Sequence, residues 1–201
     1  SKPQLQGPVV HRLVADDWRC DTRTPVTAAA WWGSYIGYDY QACECPQGPA
    51  PVKPDYFLLS IWTDVPASVS NSFSHPSEKI WEYKARDFDE VLVGFDKHPH
   101  DSGDPAATGH EPVFRYSVRV PEGEKFAQEV IGRIYWFSVI AVYTDPQAVN
   151  YPWGWTNHEH VFQDDAVAGH VDAGGVWNWQ LLKDQTGNTE DMSFVLFTDP
   201  Q

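Results

Sequence analysis

The stretch N-H-E-H-V-F-Q-D-D-A-V, residues 157–167, puts two imidazoles, a carboxylate and an aspartate doublet close together, and a second doublet, Asp16-Asp17, stands in V-A-D-D-W-R-C. Asp16, Asp17, Asp164 and Asp165 offer the oxygen ligands a hard cation takes, and calcium, surrounded by carboxylates and loop carbonyls, is the metal they suit. Neighbouring residues on a strand point to opposite faces, so a doublet can serve one ion only where the chain leaves the strand for a turn. The competing reading needs no ion, because aspartates at turns accept hydrogen bonds from nearby backbone amides. No D-x-D-x-D-G calcium loop is present.

His158 and His160 would share one face of a strand and make half of a zinc or copper site. No third ligand can be named, and the H-E-x-x-H spacing that seats two imidazoles on one helix face is missing. His98, His100 and His110 fall in a polar stretch, so all five histidines are expected to be bystanders. Nucleophilic catalysis has no foothold either: there is no G-x-S-x-G, and Cys20 lies in no protease setting. Carboxylate pairs for sugar hydrolysis are defined by a separation that a sequence does not carry. The chain is therefore read as a non-enzyme.

Ten tryptophans are the other resource, among them Trp31-Trp32, Trp153-x-Trp155 and Trp177-x-Trp179. Two tryptophans at i and i+2 on a strand lie on one face and form a platform for a sugar ring or another protein. In Y-P-W-G-W-T the flanking proline and glycine suggest a loop edge, which makes Trp153 and Trp155 the expected ligand-binding pair. Against that stands the demand of a large core, which consumes aromatics.

What must position these groups is a β framework. Phe114, Tyr116, Val118 and Val120 alternate with Arg115, Ser117 and Arg119, the signature of a half-buried strand. Residues 57–63 and 134–143 are apolar on both faces and read as central strands, and A-W-W-G-S-Y, residues 30–35, is a further strand. Shorter strands are expected near 9–14, 79–84, 90–94, 153–156, 177–182 and 193–198, with a helical turn only in 122–129 and the longest loop at 96–110. With 16 prolines and 14 glycines as punctuation, the pattern predicts an antiparallel β-sandwich, jelly-roll-like, with residues 1–201 as a single domain.

Asp and Glu total 28 against 14 Lys and Arg, a net charge of -14. That balance disfavours nucleic acid, anionic membrane and sulfated glycan, and favours cations, neutral glycan or another protein. No apolar run approaches the roughly 20 residues of a membrane span. The start at Ser1 fits a processed secreted chain, in which Cys20 is expected to bridge to Cys43 or Cys45 and leave one thiol spare. A buried free cysteine is the alternative, and the spacing fits no standard cysteine-based zinc finger or ribbon.

Taken in order, V-A-D-D-W-R-C, W-W-G-S-Y, F-L-L-S-I-W-T-D-V-P, G-R-I-Y-W-F-S-V-I-A, W-G-W-T-N-H and Q-D-D-A-V resemble a family of uncharacterised domains of large secreted bacterial proteins, often of planctomycete type. Its motifs are A-D-D-F-x-C, W-G-S and N-D-D-A-V; this chain has Trp18 for the phenylalanine and Gln163 for the asparagine. The resemblance implies a secreted β-sandwich and supplies no activity or catalytic residue. The resulting expectation is a non-catalytic extracellular structural or adhesive protein, complete in itself, that assembles with copies of itself through its terminal segments and tryptophan-rich loops. A carbohydrate-binding β-sandwich module is the alternative.

Overall fold

The computed structural model describes residues 12–39, 46, 48–99, 108–162, 164–172, 175–184 and 186–198. Among them run β1 (Arg12–Arg19), β2 (Ala28–Tyr35), β3 (Tyr56–Val65), β4 (His75–Ala85), β5 (Asp89–Pro99), β6 (Thr108–Arg119), β7 (Ile134–Val142), β8 (Trp153–Trp155), β9 (Asn157–Glu159), β10 (Val167–Val171), β11 (Trp177–Leu181), β12 (Glu190–Met192) and β13 (Phe194–Phe197). Every pairing between them is antiparallel. One sheet has the order β11-β10-β1-β7-β3-β4; the other has the order β13-β2-β6-β5, with β8 also on β2; β9 and β12 form a short ribbon. The only helical pieces among the described residues are single 3-10 turns at Glu122–Glu124 and Pro146–Ala148.

The two sheets pack face to face as a β-sandwich. Phe57, Leu59 and Ile61 of β3 and Tyr135, Phe137 and Val139 of β7 meet Trp31 of β2 and Tyr116 and Val118 of β6 in one buried cluster. Trp31 stands edge-on to Phe57, with ring centroids 5.1 Å apart, and stacks on Tyr116 at 5.9 Å. Aromatic pairs in these geometries add attraction beyond the apolar area they bury.

Both strands expected to be central are interior, β3 between β7 and β4, and β7 between β1 and β3. Their second apolar face has its own cover. Leu13, Ala15, Trp62, Trp136 and Val167 form a second buried cluster on the outside of the first sheet, closed over by Trp177, Trp179, Leu181 and Phe73. The indoles there have partners, Trp62 Nε1 donating to Ser138 Oγ at 2.9 Å and Trp136 Nε1 to Asp64 Oδ1 at 2.9 Å.

Three expectations change. The first strand, expected near 9–14, runs on to Arg19 because β7 pairs with it from Ala15 to Arg19, so Asp16 and Asp17 sit on a strand and not at a turn. The expected 96–110 loop is cut from both sides by β5 and β6, which pair as far as Pro99 with Thr108; residues 100–107, with His100, lie outside the described set. Cys20 is not in a disulfide: it is a buried free thiol whose Sγ donates to Thr22 O at 2.9 Å. Cys43 and Cys45 lie outside the described residues, as do the first eleven. Burial in the inter-sheet cluster makes Cys20 a small core residue. A thiol reagent is accordingly expected to label Cys20 only in denaturant, and peptide mapping without reduction to find it unbridged; a cross-linked Cys20 peptide would restore the disulfide reading.

Candidate functional site

β10 stops pairing with β1 at Ala15–Val167, whereas β1 continues four residues further beside β7. Past that point the vacated edge of β1 is taken by the segment before β10 and by β12. Met192 donates its amide to Asp16 Oδ2 at 2.7 Å, and Ala166 donates its amide to Glu190 O at 3.0 Å. The two aspartate doublets are therefore brought to one place, as a shared site requires, although Asp16 and Asp17 diverge to opposite faces of β1.

The two members of the first doublet meet different surroundings. Asp16 is buried with both oxygens engaged, Oδ1 accepting from Asp17 N at 2.9 Å and Oδ2 from Met192 N. Burial pushes its carboxyl up to about 7, the Met192 amide opposes this, and the charge of Asp191 adds to it. Asp17 is 3% exposed, and neither of its oxygens makes a hydrogen bond of normal geometry. Burial, followed by the charges of Asp16 and Asp164, pushes it up to about 8, against a weak pull from the Asp164 backbone amide. Asp164 also faces Asp64, whose carboxyl is raised by burial and held down by the Trp136 indole.

Asp165 joins a different group. His160 Nδ1 lies 3.1 Å from Asp165 Oδ1 and 3.0 Å from Asp191 Oδ1. The other oxygen of Asp191 accepts the backbone amides of Val161 at 2.7 Å and Phe162 at 2.9 Å. Asp191 is thus the buried anchor that pins the loop between β9 and β10 onto β12. Ligand atoms of His160, Asp165 and Asp191 all lie within 4.8 Å of one another, the arrangement among the described residues that could hold a metal ion. His158 turns away, with Nδ1 on Glu159 O at 2.7 Å. Alongside runs a cleft of about 380 Å³ lined by Asp16, Asp17, Asp191, His158, Phe162 and Met192, among others.

Sequence reasoning placed the four aspartates and missed two partners. His160 is no bystander, because its neighbours come from 5 and 31 residues away in the chain. Asp191, in T-E-D-M-S, carries no pattern that marks it.

The tryptophan platform is also corrected. Trp153 and Trp155 share a face of β8 as their spacing requires, but that face looks inward. Trp153 stands edge-on to Phe57 at 5.0 Å and Trp155 edge-on to Phe137 at 6.0 Å, with Trp155 Nε1 on Ser193 O at 3.0 Å. Both are half-buried against the inter-sheet core and form no exposed platform. Trp177 and Trp179 stack at 5.3 Å on the outer face of the first sheet, half-buried, with Trp62 edge-on beneath them.

A family model described as Domain of unknown function (DUF7901) matches residues 3–197. The chain belongs to this family. No curated protein and no solved structure matches it. Membership agrees with the resemblance to uncharacterised domains and assigns no activity. The match spans the acidic cluster, both tryptophan pairs and the sheet edges alike, so the choice among these surfaces has to come from their physical chemistry.

Proposed function

We propose that this chain is a non-catalytic extracellular structural or adhesive protein that assembles with copies of itself, and that the edge strand β5 carries the contact. The observation behind the reading is a run of three exposed apolar residues on a strand that ends its sheet among the described residues. β5 spans Asp89–Pro99 and, among the described residues, ends its sheet and pairs with β6 alone. A register shift between Leu92 and Gly94 breaks the in–out alternation, and Val91, Leu92 and Val93 are 46%, 42% and 49% exposed. A long edge with free backbone donors and acceptors and an apolar surface is a template for strand addition.

Net charge of -14 opposes self-association, so the local pairing matters. If β5 pairs with its own copy about a two-fold centred on Leu92, Val91 falls opposite Val93, Asp89 opposite Phe95 and Glu90 opposite Gly94, and no acid meets an acid. Glu90 is already committed inward, accepting from Tyr35 Oη at 2.7 Å and pairing with Lys53 at 2.7 Å. Asp16 and Asp191 hold backbone amides, a structural duty that suits this reading. Extracellular placement rests on the resemblance to secreted domains.

Sedimentation velocity over a concentration series tests this. The wild-type chain is expected to self-associate, and V91K/V93K, which puts two like charges on each contacting edge, to stay monomeric with an unchanged melting temperature. A wild-type chain that remains monomeric at the highest concentration would defeat the proposal. The second reading, a neutral-glycan module, is favoured by the stacked Trp177–Trp179 pair. It predicts polysaccharide binding that W179A abolishes and V91K/V93K leaves intact.

A further inference from the structure

We infer that His160, Asp165 and Asp191 bind one divalent transition-series cation, zinc in the first place, in a site that staples the loop between β9 and β10 to β12. The trio is in place without rearrangement. Its ligand atoms lie within 4.8 Å of one another, and His160 Nδ1 already points between the two Oδ1 atoms, 3.0 and 3.1 Å away. Asp191 is oriented for the task, since the amides of Val161 and Phe162 hold its Oδ2 and leave Oδ1 facing the imidazole. Outer partners of this kind fix the direction of a ligating group. Burial runs from Asp191 inside through half-buried Asp165 to exposed His160, which leaves the solvent side open for water to complete a tetrahedron.

A second, independent observation points to missing positive charge. Asp17 lines the same cleft as Asp191, is more than nine-tenths buried, and neither of its oxygens makes a hydrogen bond of normal geometry. Asp16 and Asp164 lie beside it, and among the described residues no Lys or Arg pairs with any of these aspartates, while the His160 imidazole contacts Asp165 and Asp191. Buried carboxylates short of counter-charge are costly, and a cation bound at Asp191, whose charge acts on both Asp16 and Asp17, lowers that cost. In the bound state the ion would sit between Nδ1 and the two Oδ1 atoms, ligated by the Nδ1 lone pair, with the ring proton on Nε2.

The donor set decides the metal. Calcium prefers oxygen throughout, whereas one imidazole nitrogen with two carboxylates suits zinc and its neighbours. The four aspartates alone suit calcium, but the trio joins one of them, Asp165, to His160 and Asp191, and that donor set suits zinc.

Calorimetric titration of the EDTA-stripped, dialysed protein with zinc, manganese and calcium tests the site, using wild type, H160Q and D165N. Neither substituted side chain anchors backbone, and melting curves without metal are expected to superimpose on wild type. One equivalent of zinc should bind the wild-type chain and raise its melting temperature, with affinity falling more than about tenfold in each variant. Cobalt in place of zinc should give a visible absorption band that H160Q loses. The proposal is overturned by a wild type that takes up no zinc, by zinc binding that H160Q leaves unchanged, or by calcium binding more tightly than zinc.

Discussion

Replacing Asp17 by asparagine raises the stability of the EDTA-treated protein at about pH 9 and changes it little at about pH 4. The folded protein holds this carboxyl at about 8 against an ordinary 3.8, first through burial and then through the charges of Asp16 and Asp164. A carboxyl whose pKa is raised on folding binds its proton more tightly in the native state. The associated stability is complete below about pH 4 and drains away as the pH climbs through about 8. The upper bound on that loss is on the order of 5 kcal/mol, a large share of the roughly 5–15 kcal/mol of a typical domain. Relaxation and water entry cut this down, and relieving a buried, unpartnered group should return about 1–3 kcal/mol.

Asp16 is the control built into the same doublet. Its two oxygens accept the amides of Asp17 and Met192, so at about pH 4, where its own raised carboxyl carries no charge penalty, D16N takes away an acceptor and should cost about 1–3 kcal/mol. Denaturant melts of both variants at two pH values decide the matter. Equal stabilities for D17N and wild type at both pH values would mean that the Asp17 oxygens are solvated and that the burial argument fails.

Changing Gly33 to alanine is expected to be among the most damaging single-methyl additions in the chain. A Cβ at Gly33 would lie 2.4 Å from Trp153 Nε1, 2.5 Å from Trp153 Cε2 and 2.6 Å from Gly154 O. None of these can retreat cheaply. Trp153 is wedged against Phe57 and Tyr116, and Gly154 belongs to β8, paired with Ser34 of β2. The added methyl must either expel the indole or part the two strands. Overpacking ordinarily costs about 1–3 kcal/mol, and with a backbone oxygen among the clashes the upper end is the expectation. The readout is a lower denaturation midpoint with tryptophan emission shifted to the red. Wild-type stability and emission would show that β8 yields freely and that Trp153 is not fixed by the core.

Gly33 also shows where sequence reading stops. W-W-G-S-Y is legible as a strand from its aromatics, yet nothing in the string says that its glycine is the floor on which Trp153 rests. That contact joins residues 120 positions apart. The Trp153-x-Trp155 spacing correctly puts both rings on one face, because period two is a property of the extended backbone itself. Whether that face meets solvent or core depends on what lies across from it, and here the bare backbone of Gly33 admits Trp153 to the interior.

The same division holds for the acids. Strand content, the sandwich, and the interior position of residues 57–63 and 134–143 follow from local alternation and from runs apolar on both faces, which each segment carries by itself. The doublets were visible as oxygen donors from composition alone. Their division of labour was not: β1 outruns β10 by four residues, and the gap that this leaves lets Met192 hold Asp16, leaves Asp17 facing Asp164, and joins His160 to Asp165 and Asp191. Burial and hydrogen-bond supply are set by chain segments far apart in sequence, so the residues by themselves showed which side-chain types were at hand, and only the packing of the sheet edge decided which of them face one another and brought Asp191 among them.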